Sequence, residues 1–165
     1  MHFLSSSRKR GSSDFKHFWI PAFAGMTFFN SLRMGFLDSM TACGKKILVI
    51  DDEQDLVDML EITLESEGYE VLKAYDGHEG LEKSRESKPD LILLDVMLPK
   101  MDGYQVCRLL KFDDSSKDIP IVMLTARNQK QDRLTGKRVG ANEYLAKPFS
   151  NEDLLKKIKE MIAAH

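Results

Sequence analysis

At 165 residues the chain has the length of one ordinary domain. Its 24 Lys and Arg against 26 Asp and Glu leave a net charge of −2, which supplies no basic footprint for nucleic acid. No apolar run approaches the ~20 residues of a membrane span, and Cys43 and Cys107 stand at no metal-ligand spacing, which points to a reducing compartment.

Charge is spread unevenly. Residues 1–44 hold Arg8, Lys9, Arg10, Lys16 and Arg33 against Asp14 and Asp38, a net of +3, so residues 45–165 carry −5. The first 44 residues mix Ser and Gly with Phe15, Phe18, Trp19, Phe23, Phe28 and Phe29 and have neither helical nor strand period. A secretory signal would use Arg8-Lys9-Arg10 as its basic start and Ala22-Phe23-Ala24 as its cleavage site. The apolar stretch between Lys16 and Pro21 is too short for one. An interfacial anchor is opposed by Pro21, Gly25 and the missing amphipathic period. The segment Phe18 to Thr27 resembles peptides translated from bacterial intergenic repeats. The expectation is an N-terminal extension over residues 1–44 that is disordered or never made, with the natural start at Met40, or less so at Met34. An intact mass of the natively expressed protein matching initiation at Met1 would refute it.

From Lys45 the chain becomes regular. Ile47-Leu48-Val49-Ile50 is an apolar run that ends in Asp51-Asp52-Glu53. Asp55 to Glu67 has helical period, with Leu56, Met59, Leu60, Thr63 and Leu64 on one face, and Gly68 as its stop. Tyr69 to Ala74 reads as a more polar edge strand, followed by a short helix through Gly80 to Glu86. Leu91-Ile92-Leu93-Leu94 lies between Pro89 and Pro99 and ends in Asp95; such a run suits a strand buried on both faces. Beyond the turn Pro99 to Gly103 comes a helix with Val106, Leu109 and Leu110 inward and Cys107 as a small buried hydrophobe. Ile121-Val122-Met123-Leu124 forms the next buried strand and ends at Thr125. A polar helix is predicted around Gln129 to Val139, a short strand over Glu143 to Ala146, and a last helix capped by Ser150 with Leu154, Leu155, Ile158 and Ile162 inward. Five strands alternating with five helices predict an α/β fold: a doubly wound parallel sheet in the order 2-1-3-4-5, as in flavodoxin-like proteins.

In a parallel sheet the carboxyl ends of the strands share one edge, and ligands bind beyond it. The predicted strands bring Asp51, Asp52, Asp95, Thr125 and Lys147 there. Three carboxylates repel unless a cation or a proton intervenes, and hard oxygen donors at an open site suit Mg²⁺. A carboxylate so placed can attack a phosphoryl donor and form an acyl phosphate, whose charge then needs cations and hydrogen-bond donors. Neither GxGxxG nor G-x-x-x-x-G-K-[ST] is present, which disfavours a nucleotide-binding fold. Taken singly, Thr125 reads as a hydrogen-bonding strand residue, Tyr144 as half-buried packing and Lys147 as a solvated lysine. Asp102 reads as a turn former with Gly103. His17, His78 and His165 have no partner at ligand spacing, and His2 lies in the extension.

Four stretches in order carry a resemblance: Lys46 to Glu53, Asp95 to Gly103, Thr125-Ala126, and Tyr144 to Phe149. Over roughly residues 45–163 the chain resembles the receiver domain of bacterial two-component response regulators. The resemblance implies a cytoplasmic phosphoacceptor, not an enzyme with a separate substrate, phosphorylated on Asp95 by a sensor histidine kinase or histidine phosphotransfer protein. It implies Mg²⁺ held by Asp52 directly, Asp51 largely through water, Asp95, and the backbone carbonyl of Met97. It further implies pairing of Lys147 with the phosphoryl group, a cis Lys147–Pro148 peptide, and a switch formed by Thr125 and Tyr144. The side chains of Met97 and Arg127 are expected to tune hydrolysis.

The predicted last helix ends close to His165, so a stand-alone receiver over residues 45–165 is expected, without a DNA-binding output domain. It would signal through the face of its fourth helix, fifth strand and fifth helix, to an effector protein or in a phosphorylation-dependent homodimer. Residues 125–134 resemble receivers joined to winged-helix domains, which keeps a truncated relative in view. Of two other classes, an Asp-nucleophile phosphohydrolase would want an acid where Met97 stands. A docking-only pseudo-receiver would lack Asp95, Asp52 or Lys147, and all three are present.

Overall fold

The computed structural model describes residues 44–126 and 139–165. In chain order these form β1 (Lys46–Ile50), α1 (Gln54–Ser66), β2 (Glu70–Ala74), α2 (Gly77–Ser87), β3 (Leu91–Asp95), α3 (Gly103–Phe112), β4 (Ile121–Thr125), β5 (Glu143–Ala146) and α4 (Asn151–Ala163). All strand pairings are parallel, in the order β2-β1-β3-β4-β5. The predicted α/β architecture and strand order therefore stand. Four helices lie among the described residues; the helix predicted around Gln129 to Val139, apart from Val139, and the extension predicted over residues 1–44, apart from Gly44, lie outside them.

The period-two geometry of a strand divides the three central apolar runs between two cores. Ile47, Val49, Leu91, Leu93, Val122 and Leu124 pack with Val57, Leu60 and Leu64 of α1 and with Leu154 and Ile158 of α4. Leu48, Ile50, Ile92, Leu94, Ile121 and Met123 pack on the other face with Leu81 of α2 and with Val106, Cys107 and Leu110 of α3. Because both faces are covered, the buried stretches of the central strands are apolar throughout, and the polar residues that end them fall at the carboxyl edge. The flanking strands β2 and β5 are only partly buried.

Two inward assignments need correction. Met59 and Leu109 are exposed, while Val57 is buried in the place expected for a neighbour. Val57, Leu60 and Leu64 form the stripe that meets the sheet on α1, and Gly103, Val106, Cys107 and Leu110 form it on α3. Residues three and four apart share a helix face: Met59 has no member of its stripe at that spacing, whereas Leu109 lies three residues from Val106 and so at the edge of its stripe, where it stays exposed. Helix starts follow local chemistry: Asp76, Asp102 and Ser150 accept N–H bonds from Glu79, Gln105 and Asp153 respectively.

Candidate functional site

Asp51 follows β1 directly, Asp95 closes β3, Thr125 closes β4, and Lys147 follows β5. Parallel pairing sets these ends side by side. Val96 N–H donates to the Leu124 carbonyl at 3.0 Å and Lys147 N–H to the Thr125 carbonyl at 2.7 Å, so the chain leaves the sheet still in register. The Lys147–Pro148 peptide is cis.

The side chains converge on one ammonium. Lys147 Nζ lies 2.7 Å from Asp51 Oδ2 and 2.7 Å from Asp95 Oδ1. The other oxygen of each acid takes a backbone donor: Glu53 N–H reaches Asp51 Oδ1 at 3.0 Å, and Met97 N–H reaches Asp95 Oδ2 at 2.5 Å. Asp51, Asp95 and Thr125 are buried, whereas Asp52, the next residue after Asp51, is exposed. Met97 also lies open to solvent.

One cation between two buried carboxylates leaves the cluster short of positive charge. Burial pushes the Asp95 carboxyl above the ordinary carboxylate value, and the neighbouring Asp51 charge adds to the rise; Lys147 and the Met97 N–H offset only part of it. Burial also works against the Lys147 ammonium. Its bonds to Asp51 and Asp95 outweigh that effect and raise its pKa above the ordinary lysine value. The site therefore holds its lysine firmly charged and still disfavours ionisation of Asp95.

Among the described residues no three His, Cys, Asp or Glu side chains form a ready-made metal cage. Mg²⁺ does not require one, because it usually keeps several waters and takes one or two carboxylates. The oxygens of Asp51 and Asp95, which share one ammonium, with the exposed Asp52 next in the chain, are a donor set that fits it.

The loop after Asp95 is held tightly. Gly103 N–H donates to the Val96 carbonyl at 2.9 Å, and a Cβ at residue 103 would fall on the Asp95 carbonyl oxygen. Only glycine lets α3 begin this close to the acid. The turn signal of Pro99 and Gly103 was visible in the sequence, but this close approach was not. Tyr144 stands on β5 with its ring against the α2–α3 core. Its hydroxyl is buried without a hydrogen-bond partner among the described residues, and burial, followed by the nearby Cys107 and Glu143, pushes its pKa to about 12. Burial likewise raises the Cys107 thiol to about 11, which fits a packing role. Arg127 lies outside the described residues.

Residues 47–159 match the family model of the response regulator receiver domain. The chain belongs to the response regulator receiver domain family. The receiver is 46% identical over 118 residues to the alkaline phosphatase synthesis transcriptional regulatory protein PhoP of Bacillus subtilis (strain 168); the match covers 72% of this chain and 48% of that protein. It thus spans about half the length of this curated relative. Among solved structures, the Vibrio cholerae chemotaxis protein CheY4 is 36% identical with a TM-score of 0.69, over 72% of this chain and 99% of that one. The receiver domain of sensor histidine kinase PA1611 from Pseudomonas aeruginosa PAO1 is 32% identical with a TM-score of 0.68, over 73% of this chain and 99% of that one. It is described with a magnesium ion coordinated in its active-site cleft.

Proposed function

We propose that this receiver accepts a phosphoryl group on Asp95 from a phosphohistidine of a sensor histidine kinase or histidine phosphotransfer protein. The observation that supports it most is the Asp51–Lys147–Asp95 cluster, two buried carboxylates sharing one ammonium at 2.7 Å each. In the transfer, an Asp95 carboxylate oxygen attacks phosphorus while the phosphorus–nitrogen bond breaks, and the imidazole leaves with the bond's electron pair and takes up a proton. The product is an acyl phosphate, which water later hydrolyses to restore the carboxylate. The protein is then a phosphoacceptor with slow self-dephosphorylation, not an enzyme acting on a separate substrate.

Lys147 is already at the site to meet the incoming charge, so little reorganisation is needed when the phosphoryl group arrives. Met97 N–H fixes the carboxylate plane, and the Thr125 hydroxyl closes β4 beside it. Asp51, Asp52, Asp95 and the Met97 carbonyl would hold Mg²⁺. When bound, that ion supplies the positive charge that the acids and the phosphoryl oxygens lack.

Thr125 and Tyr144 serve as the switch: the hydroxyl follows the phosphoryl group and the ring responds on β5, a local charge event read by a two-state element. Equal partner affinity of phosphorylated wild type and phosphorylated Thr125→Ala would count against this. The signal leaves through β5, α4 and the chain before β5, to an effector protein or a second copy, in the cytoplasm. Among the described residues no helix is long and apolar enough to cross a membrane.

Intact mass after incubation with acetyl phosphate and Mg²⁺ tests the central step. One phosphoryl adduct is expected on wild type, absent in Asp95→Asn and suppressed by EDTA. A folded wild-type protein that gains no adduct would make this a docking module.

A further inference from the structure

The loop that follows β3 contains a backbone conformation that its sequence does not favour. Lys100 has φ +68°, and Met101 N–H donates to the Pro99 carbonyl at 2.8 Å. A positive φ closed by a bond between residues two apart is the rarer and more strained form of γ-turn. Glycine would enter it freely, whereas a side chain with a Cβ resists it. Lys88, at φ +45°, is also left-handed, but it ends α2, where such a residue commonly closes a helix. Lys100 closes no helix, and it lies five residues past Asp95.

Strain of this kind persists where the surroundings over-determine it, and it concentrates at functional sites. The surroundings here are specific. On one side Met97 N–H is engaged with the Asp95 carboxylate. On the other, Gly103 ties the start of α3 to the Val96 carbonyl at 2.9 Å. Between them, Lys100 Nζ reaches Asp76 Oδ2 at 3.4 Å, while Asp76 Oδ1 accepts Glu79 N–H at 2.9 Å and caps α2. The lysine thus fastens the loop that carries Met97 to the first turn of a neighbouring helix. Its ammonium is mostly exposed, so the pair adds little to global stability and any consequence is local.

Resting on the reading of Asp95 as phosphoacceptor, we propose that Lys100 is a positioning residue for phosphoryl transfer. Its strained turn and its tether to Asp76 hold the Val96–Met101 loop so that Met97 N–H stays on the Asp95 carboxylate in the accepting orientation.

A double-mutant cycle tests this on the full chain. Lys100→Met removes the ammonium, and Asp76→Asn removes the charge while leaving a side chain that still caps α2. The readouts are the rate of adduct formation with acetyl phosphate at saturating Mg²⁺, the thermal midpoint, and the Met97 amide resonance. Each single variant is expected to slow phosphorylation about three- to fivefold, the scale of one exposed ion pair, and the double variant to slow it no further. Midpoints stay unchanged, the Met97 resonance moves in both variants, and Lys100→Arg retains most of the rate. Additive losses, or a loss for Lys100→Met with none for Asp76→Asn, would overturn the tether and point to direct contact with the phosphodonor. Wild-type rates in all variants would overturn it while leaving Asp95 as phosphoacceptor; no adduct on wild type would overturn both.

Discussion

The two ends of the sheet are built from the same ingredients in different proportion. At the amino end, before β3, Asp90 is met by Lys45 Nζ at 2.7 Å and by Lys46 N–H at 2.8 Å. Burial raises its pKa, but the bonds from Lys45 and Lys46 outweigh that and the net shift is downward. At the carboxyl end Lys147 divides itself between Asp51 and Asp95, and the Asp95 pKa moves up. One acid with one lysine and one amide is a closed account of charge and hydrogen bonds. Two acids with one lysine are not. The first arrangement fastens a loop; the second keeps capacity for a further cation and for a group that brings its own charge.

Removing Lys147 should break the contrast most severely. Lys147→Met leaves two buried carboxylates facing each other, and the expected loss at neutral pH is about 2 kcal/mol, between the values for exposed and fully buried pairs. Because the folded pKa of Lys147 is raised, its stabilisation is complete below the ordinary lysine value of 10.5 and disappears as pH rises through the folded value. Urea unfolding across pH should therefore show wild type and variant converging in strong alkali. The gap should also narrow in acid, where the carboxylates take up protons. Added Mg²⁺ should stabilise the variant more than wild type.

A smaller effect of opposite sign is expected at Asp95. Its folded pKa lies above the ordinary 3.8, so ionising it opposes folding. That opposition is absent well below pH 3.8 and complete once pH exceeds the folded value. Asp95→Asn should thus raise stability by about 1 kcal/mol at neutral pH without Mg²⁺, with the gain fading in acid. A variant less stable than wild type at neutral pH would mean that Lys147 fully compensates both acids, and the contrast between the two ends would fail.

The contrast was only half legible in the sequence. Asp51, Asp95 and Thr125 could be placed at one edge because strands buried on both faces are apolar up to their ends, so their terminal polar residues announce themselves, and Lys147 was marked by the strand end before it and Pro148 after it. The sharing of one ammonium could not be read, since it depends on how far Lys147 reaches across β3 and β4. Met59 and Leu109 were set inward by helical period and hydrophobicity. Which stripe of a helix meets the sheet is decided by packing: Val57 took the interior on α1, and on α3 Cys107 lies buried as expected. The left-handed Lys100 was invisible for the same reason: nothing in a lysine announces a positive φ, and only the fixed positions of Asp95, Gly103 and Asp76 impose it.

The amino end supplies the smallest and most discriminating prediction. Asp90→Asn keeps an acceptor for Lys46 N–H and loses the Lys45 ion pair. Lys45 is 43% exposed, so solvent screening limits the loss to less than about 1 kcal/mol at neutral pH. The Asp90 pKa is lowered, so its stabilisation is present above the ordinary value of 3.8 and fades as pH falls through the folded one. As pH rises, Asp90→Asn should therefore separate downward from wild type below the ordinary value of 3.8, and Asp95→Asn upward above it. Unfolding curves for the three proteins at matched pH decide it. Parallel displacement of both variants would show that the two carboxylates feel the same surroundings, and the unequal sharing of Lys147 would then have no energetic consequence.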